Sequence, residues 1–74
     1  MGVVLIPVGA LKEYTGGQGR LELAAGPTVA EMLESVGIPP NLVAGVVRDG
    51  ELVSKDYRPQ DGETIKVLAI MGGG

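Results

Sequence analysis

The chain contains no cysteine, no histidine, no tryptophan and no phenylalanine. Without cysteine there is no disulfide staple, no thiolate metal site and no thiol nucleophile within the chain. Without histidine the commonest general base and the commonest metal ligand are gone. Only Tyr14 and Tyr57 are aromatic, so a core must be built from Val, Leu and Ile. Basic runs are also missing. The net charge is −3 and the sequence pI is near 4.6, which makes nucleic acid or an anionic membrane a poor partner. A basic protein surface suits such a body better. The apolar start, Val3 to Ile6, is too short for a signal-peptide core and lacks a basic flank. No apolar run approaches membrane-spanning length, and a cytoplasmic protein is expected. What remains is a chain of 74 residues, 45% hydrophobic, which predicts one small domain held together by aliphatic burial.

Val3 to Val8 reads as a fully buried strand, with Pro7 near its end or on an unpaired side because it has no N–H. Leu11 to Tyr14 fits a helical turn or a loop, and Gly16-Gly17-Gln18-Gly19 then breaks the chain. Arg20 to Ala24 alternates polar and apolar, as a half-exposed strand does, and pairs most economically antiparallel to the first. Thr28-Val29-Ala30-Glu31 is a capping box. Val29, Met32, Leu33 and Val36 then form one apolar stripe of a short helix. Gly37 suits a left-handed cap, and Pro39-Pro40 stops continuation. Leu42 to Val47 reads as a strand, Asp49-Gly50 as a tight turn and Glu51 to Val53 as a short return. Asp61-Gly62 marks a further turn before a last strand, Thr64 to Ile70. The order β-β-α-β-β-β with one main helix is an α+β pattern.

The faces of two strands follow from their charges. If Lys66 faces water, Leu68 and Ile70 share its face while Ile65, Val67 and Ala69 point inward. If Arg48 faces out, Val46 and Ala44 do so too. Val46, Leu68 and Ile70 would then make an exposed aliphatic patch, which is either a partner surface or lies under a loop.

No catalytic constellation can be assembled. There is no nucleophile–base pair, no metal-ligand spacing and no phosphate-cradling glycine loop opening a helix. Asp61 and Glu63 read as turn chemistry, Lys12, Lys55 and Lys66 as solvated charges, and the two tyrosines as packers at the rim of the core. One feature stands apart. The last strand runs straight into Gly72-Gly73-Gly74, so any chemistry there belongs to the α-carboxylate. That group has an ordinary pKa of about 3.3–3.7 and is an anion at neutral pH. Glycine has no Cβ, so such an arm could enter a slot closed to other residues. A frayed chain end or an appended linker would read the same way.

Four segments, in order, carry a resemblance: Gly26-Pro27-Thr28-Val29-Ala30-Glu31-Met32-Leu33 opening the helix, Gly37-Ile38-Pro39 closing it, Asp49-Gly50-Glu51-Leu52-Val53, and Asp61-Gly62-Glu63-Thr64-Ile65 running on to the glycines. Together they span essentially the whole chain, which resembles the ubiquitin-like sulfur carriers of the MoaD and ThiS type. The resemblance implies a β-grasp fold, with a mixed sheet of four to five strands on one main helix. It divides the chain into a domain over 1–71 and a flexible glycine tail over 72–74. It also implies that an adenylating enzyme similar to those of ubiquitin activates the Gly74 carboxylate with ATP. Sulfur from a persulfide donor protein then leaves a thiocarboxylate for molybdopterin, thiamine or related biosynthesis. Gly73 would thread the enzyme's channel, while Val46, Leu68, Ile70 and Gly72 would contact partners, a large synthase subunit among them. The chain itself would be a carrier, not an enzyme, with no cofactor bound. Gly72 precedes the usual glycine pair, Asp49 stands where asparagine is common, and no proline precedes the glycines, which leaves the pathway open. Two other readings share the fold: a modifier joined through Gly74 to lysines of other proteins, and an interaction module without terminal chemistry.

Overall fold

The computed structural model describes residues 2–69. Five strands, β1 (Val3–Pro7), β2 (Leu21–Leu23), β3 (Val43–Arg48), β4 (Glu51–Val53) and β5 (Thr64–Ala69), surround one α-helix, α1 (Val29–Ser35). They form a single mixed sheet in the order β2-β1-β5-β3-β4. The central pair β1–β5 is parallel, and the other three pairings are antiparallel. This is the β-grasp arrangement, and the expected element order holds. Leu11 to Tyr14, left between turn and loop by the sequence, lies within a 3₁₀ helix, Gly9–Thr15, and a second 3₁₀ turn, Pro40–Leu42, leads into β3.

Local chemistry bounds α1 on both sides. Thr28 Oγ1 accepts from the Glu31 N–H at 3.1 Å, and Glu31 Oε1 accepts from the Thr28 N–H at 2.9 Å. This capping box satisfies two backbone donors that would otherwise lack partners. The next two helix N–H groups are satisfied from elsewhere: Val29 donates to Tyr57 O at 2.9 Å and Ala30 to Lys55 O at 3.0 Å. The long loop between β4 and β5 is therefore stitched to the helix start. At the other end Gly37 takes φ of 89°. Its N–H reaches Glu34 O at 3.2 Å, while the Ile38 N–H reaches Leu33 O at 2.9 Å. That pair of bonds is the Schellman motif, and its left-handed residue favours glycine.

The core lies between the helix and one face of the sheet. Val3, Leu5, Val29, Leu33, Ile38, Ile65 and Val67 are fully buried, with Leu11, Met32, Val43 and Val46 nearly so. As the sequence predicted, Ile65 and Val67 point inward and Lys66 is exposed.

Strand β3 differs from expectation. Val46 is 1% exposed and pairs with the buried Val67, so it belongs to the core and not to an outer patch. Two causes combine. Arg48, assumed to face water, sits opposite Ile65 on the inner face and is half-buried. A bulge also falls between Val43 and Gly45, whose partners Ala69 and Leu68 are consecutive. One extra residue shifts the in–out alternation, so Val43 and Val46 both point inward. Ala44, in the bulge, is exposed.

Candidate functional site

Among the described residues, no helix lies over the face of the sheet opposite α1. Its residues follow from the register. Ile6 pairs with Lys66, Lys66 with Val47, and Val47 with Leu52, giving one row that crosses four strands. In the next row Leu68 pairs with Gly45. A Cβ at Gly45 would lie 3.6 Å from Leu52 Cδ2 and 3.7 Å from Leu68 Cδ1. The two leucines thus flank the bare Gly45 backbone on the same face. Leu52 is 76% exposed, while Ile6, Val47 and Leu68 are half-buried. The sheet presents an apolar surface with a single ammonium, Lys66, near its middle. A shallow recess beside it is lined by Val47, Asp49, Gly50, Thr64 and Lys66.

Of the residues expected at a partner surface, Leu68 lies on this face and Val46 does not. Ile70, Gly72, Gly73 and Gly74 lie outside the described residues, as does the expected boundary between domain and tail. Leu52 and Val47 complete the face instead. Leu52 was visible as an apolar residue beside a tight turn, but three residues of strand give too little alternation to assign its side.

A second cluster gathers at the opposite end of β5. The Tyr57 hydroxyl donates to Glu63 Oε1 at 2.7 Å, the Gln60 N–H donates to the same oxygen at 2.8 Å, and Arg48 reaches Glu63 Oε2 at 3.4 Å. Arg48 also donates to the Tyr57 hydroxyl at 3.1 Å and to Glu51 at 3.0 Å. Its guanidinium stands 5.3 Å from the centre of the Tyr57 ring, within range of a cation–π contact. The hydrogen bond from Tyr57, then that from the Gln60 backbone, hold the Glu63 carboxyl below its ordinary range, with Arg48 adding to both. Tyr57 and Glu51 in turn favour the charged form of Arg48. The network ties β3, β5 and the loop that caps α1.

Two further expectations change. Lys55 is not simply solvated, because its ammonium donates to Pro40 O at 2.7 Å in a half-buried position. Tyr14 is 45% exposed, whereas Tyr57 packs against the core. Among the described residues, no group of three or more His, Cys, Asp or Glu side chains could hold a metal ion. No helix among them is long and apolar enough to cross a membrane.

Strand β5 is the central strand of the sheet, and the sequence runs on from it to the terminal glycines. Residues 6–74 match the ThiS family. The chain belongs to the ThiS family. This ThiS-family chain is also similar to a solved structure, SAMP1 from Haloferax volcanii, at 21% identity and a TM-score of 0.63, over 97% of this chain and 98% of that one. At that identity the likeness is one of fold. No curated protein matches the sequence. The family match and the fold agree in making this a ThiS-family chain with the β-grasp fold.

Proposed function

We propose that this protein carries sulfur as a C-terminal thiocarboxylate on Gly74. The observation that carries the reading is the family match, which extends through the terminal glycines to residue 74. The composition supports it: a chain with no cysteine cannot divert an activated acyl group onto a thiol of its own.

The chemistry proceeds in steps. An oxygen of the Gly74 carboxylate attacks the α-phosphorus of ATP within a partner enzyme, releasing pyrophosphate and forming an acyl adenylate. The terminal sulfur of a protein persulfide attacks the acyl carbon, and AMP leaves. A thiol then cleaves the resulting S–S bond, becoming oxidised to a disulfide and leaving the thiocarboxylate. Sulfur passes to an acceptor in molybdopterin, thiamine or related biosynthesis. The carrier is a co-substrate throughout and supplies no catalytic side chain. Its contribution is binding and access. The outer sheet face around Leu68 docks the adenylating enzyme, and Gly73 and Gly74 fit a channel too narrow for a side chain. A cytoplasmic setting suits the ATP-dependent step.

The test is reconstitution with an adenylating enzyme, ATP and a persulfide donor, followed by intact-mass measurement. The carrier reading expects the mass to rise by the difference between sulfur and oxygen, with no rise after deletion of Gly74. Isopeptide conjugates to lysines of other proteins, with no thiocarboxylate, would assign the chain to the modifier class instead. No adenylate with any such enzyme would leave an interaction module.

A further inference from the structure

The middle of the outer sheet face is apolar around one ammonium, with Thr64 and the Arg20–Glu22 ion pair farther along the same face. Lys66 sits in its central strand, with Ile6 on one side and Val47 and then Leu52 on the other. Its side chain is exposed. None of the ion pairs among the described residues uses it. Asp49 lines the same recess without pairing with it. Glu22, opposite Val4 on β2, lies toward the other margin of the face. The pattern is one ammonium outside any ion pair among apolar neighbours, with Asp49 at one margin and the Arg20–Glu22 ion pair toward the other.

We propose that the partner surface covering this face carries a carboxylate set among apolar side chains and placed to pair with Lys66. This rests on the carrier reading, which makes that partner the adenylating enzyme. Docking of an apolar surface over Lys66 strips water from its ammonium, and a desolvated charge left without a counter-ion is costly. A partner that covers the face must therefore answer Lys66 with a negative group. A cation in its margin would meet Asp49, in keeping with the chain's net charge of −3. A second copy of this chain does not fit. A two-fold contact centred on this face would bring two Lys66 ammonium groups together. A phosphate-bearing surface fits no better, since one lysine between Asp49 and the neutral Arg20–Glu22 pair is no basic patch.

Three Lys66 variants separate charge pairing from simple apolar contact, because Lys66 is exposed and its replacement leaves the core intact. The probe is the adenylating enzyme from the same cells, with binding measured by calorimetry and turnover by ATP–pyrophosphate exchange. Lys66→Met keeps length and adds apolar surface. If the partner carries the carboxylate, this variant leaves that group buried and unpaired, and Kd rises about tenfold or more. Lys66→Glu weakens binding further, and Lys66→Arg stays within about threefold of wild type. Unchanged or tighter binding of Lys66→Met overturns the proposal, because that is the behaviour of a purely apolar footprint. So does a concentration-dependent dimer that Leu52→Asp abolishes, since the face would then be occupied by a second copy. Failure of the enzyme to bind the wild-type chain overturns the carrier reading itself, and with it this assignment of the partner. A defect confined to the Lys66 variants does not touch that reading.

Discussion

Replacing Val46 with Ala tests the assignment of β3, on which the description of the outer face depends. Val46 is 1% exposed and faces the helix side beside Val67. The change deletes both γ-methyl groups. At about 0.8 kcal/mol per buried carbon the transfer loss is roughly 1.6 kcal/mol. The cavity left behind adds to this, for a total of about 2–3 kcal/mol. A domain of this size has roughly 4–11 kcal/mol of stability in all, so the loss is a large share of it. At about 4–8 °C per kcal/mol for a small domain, Tm should fall by roughly 10–20 °C. Far-UV circular dichroism during heating and urea titration measures this. The urea midpoint should drop with an unchanged slope if the denatured state is unaffected. Leu52→Ala on the 76% exposed neighbour is the control, with an expected change within about 0.5 kcal/mol. Below its melting temperature, Val46→Ala should still be activated with a near-normal KM. A Val46→Ala variant as stable as wild type, beside a Leu52→Ala variant that melts early, would show that the two faces had been exchanged.

Three further outcomes are expected. Leu68→Asp should raise the KM for the adenylating enzyme strongly while lowering Tm far less than Val46→Asp, as melting curves and exchange kinetics on the same samples would reveal. Gly73→Val should block adenylation with no change in Tm, because the replaced residue lends no side chain to the core; normal pyrophosphate exchange would argue against a narrow channel. Glu63→Gln should destabilise the fold at neutral pH, and the gap to wild type should close on acidification. The Glu63 carboxyl is held below its ordinary value by Tyr57, the Gln60 backbone and Arg48. Its contribution is therefore complete above the unfolded value of about 4.3 and is lost as pH falls through the lower folded value. A constant gap in Tm from neutral pH to well below that value would mean that Glu63 ionisation is not coupled to folding.

The elements that the sequence revealed are those whose signals are local. The helix was legible at both ends because Thr28 and Glu31 cap one and Gly37 the other, each acting within a few residues. The faces of β5 were legible because Lys66 interrupts an apolar run at one position and thereby sets the period of two. Strand β3 offers no such mark. It is apolar almost throughout, its one charge turns inward to Tyr57 and Glu63, and its bulge resets the phase. Neither the bulge nor the inward arginine has a local cause. The first depends on pairing with β5, and the second on a tyrosine and a glutamate brought together by a loop. The sheet order is likewise a long-range property, since β1 and β5 lie at opposite ends of the chain yet form the central parallel pair. Gly9–Thr15 carries no clear apolar period, which is why a 3₁₀ segment could not be told from a loop there. Part of the candidate surface was thus readable, through Leu68 and Lys66. Val47 and Leu52 joined it only once the register was known.

The central claim is that the Gly74 carboxylate becomes a thiocarboxylate. The direct measurement is the intact mass of the protein, untagged at its C-terminus, after incubation with its adenylating enzyme, ATP and a persulfide donor. A gain equal to replacing one oxygen by sulfur, absent without ATP and absent after deletion of Gly74, is the predicted result. An unchanged mass under those conditions, with the enzyme shown to be active on another carrier, would contradict it.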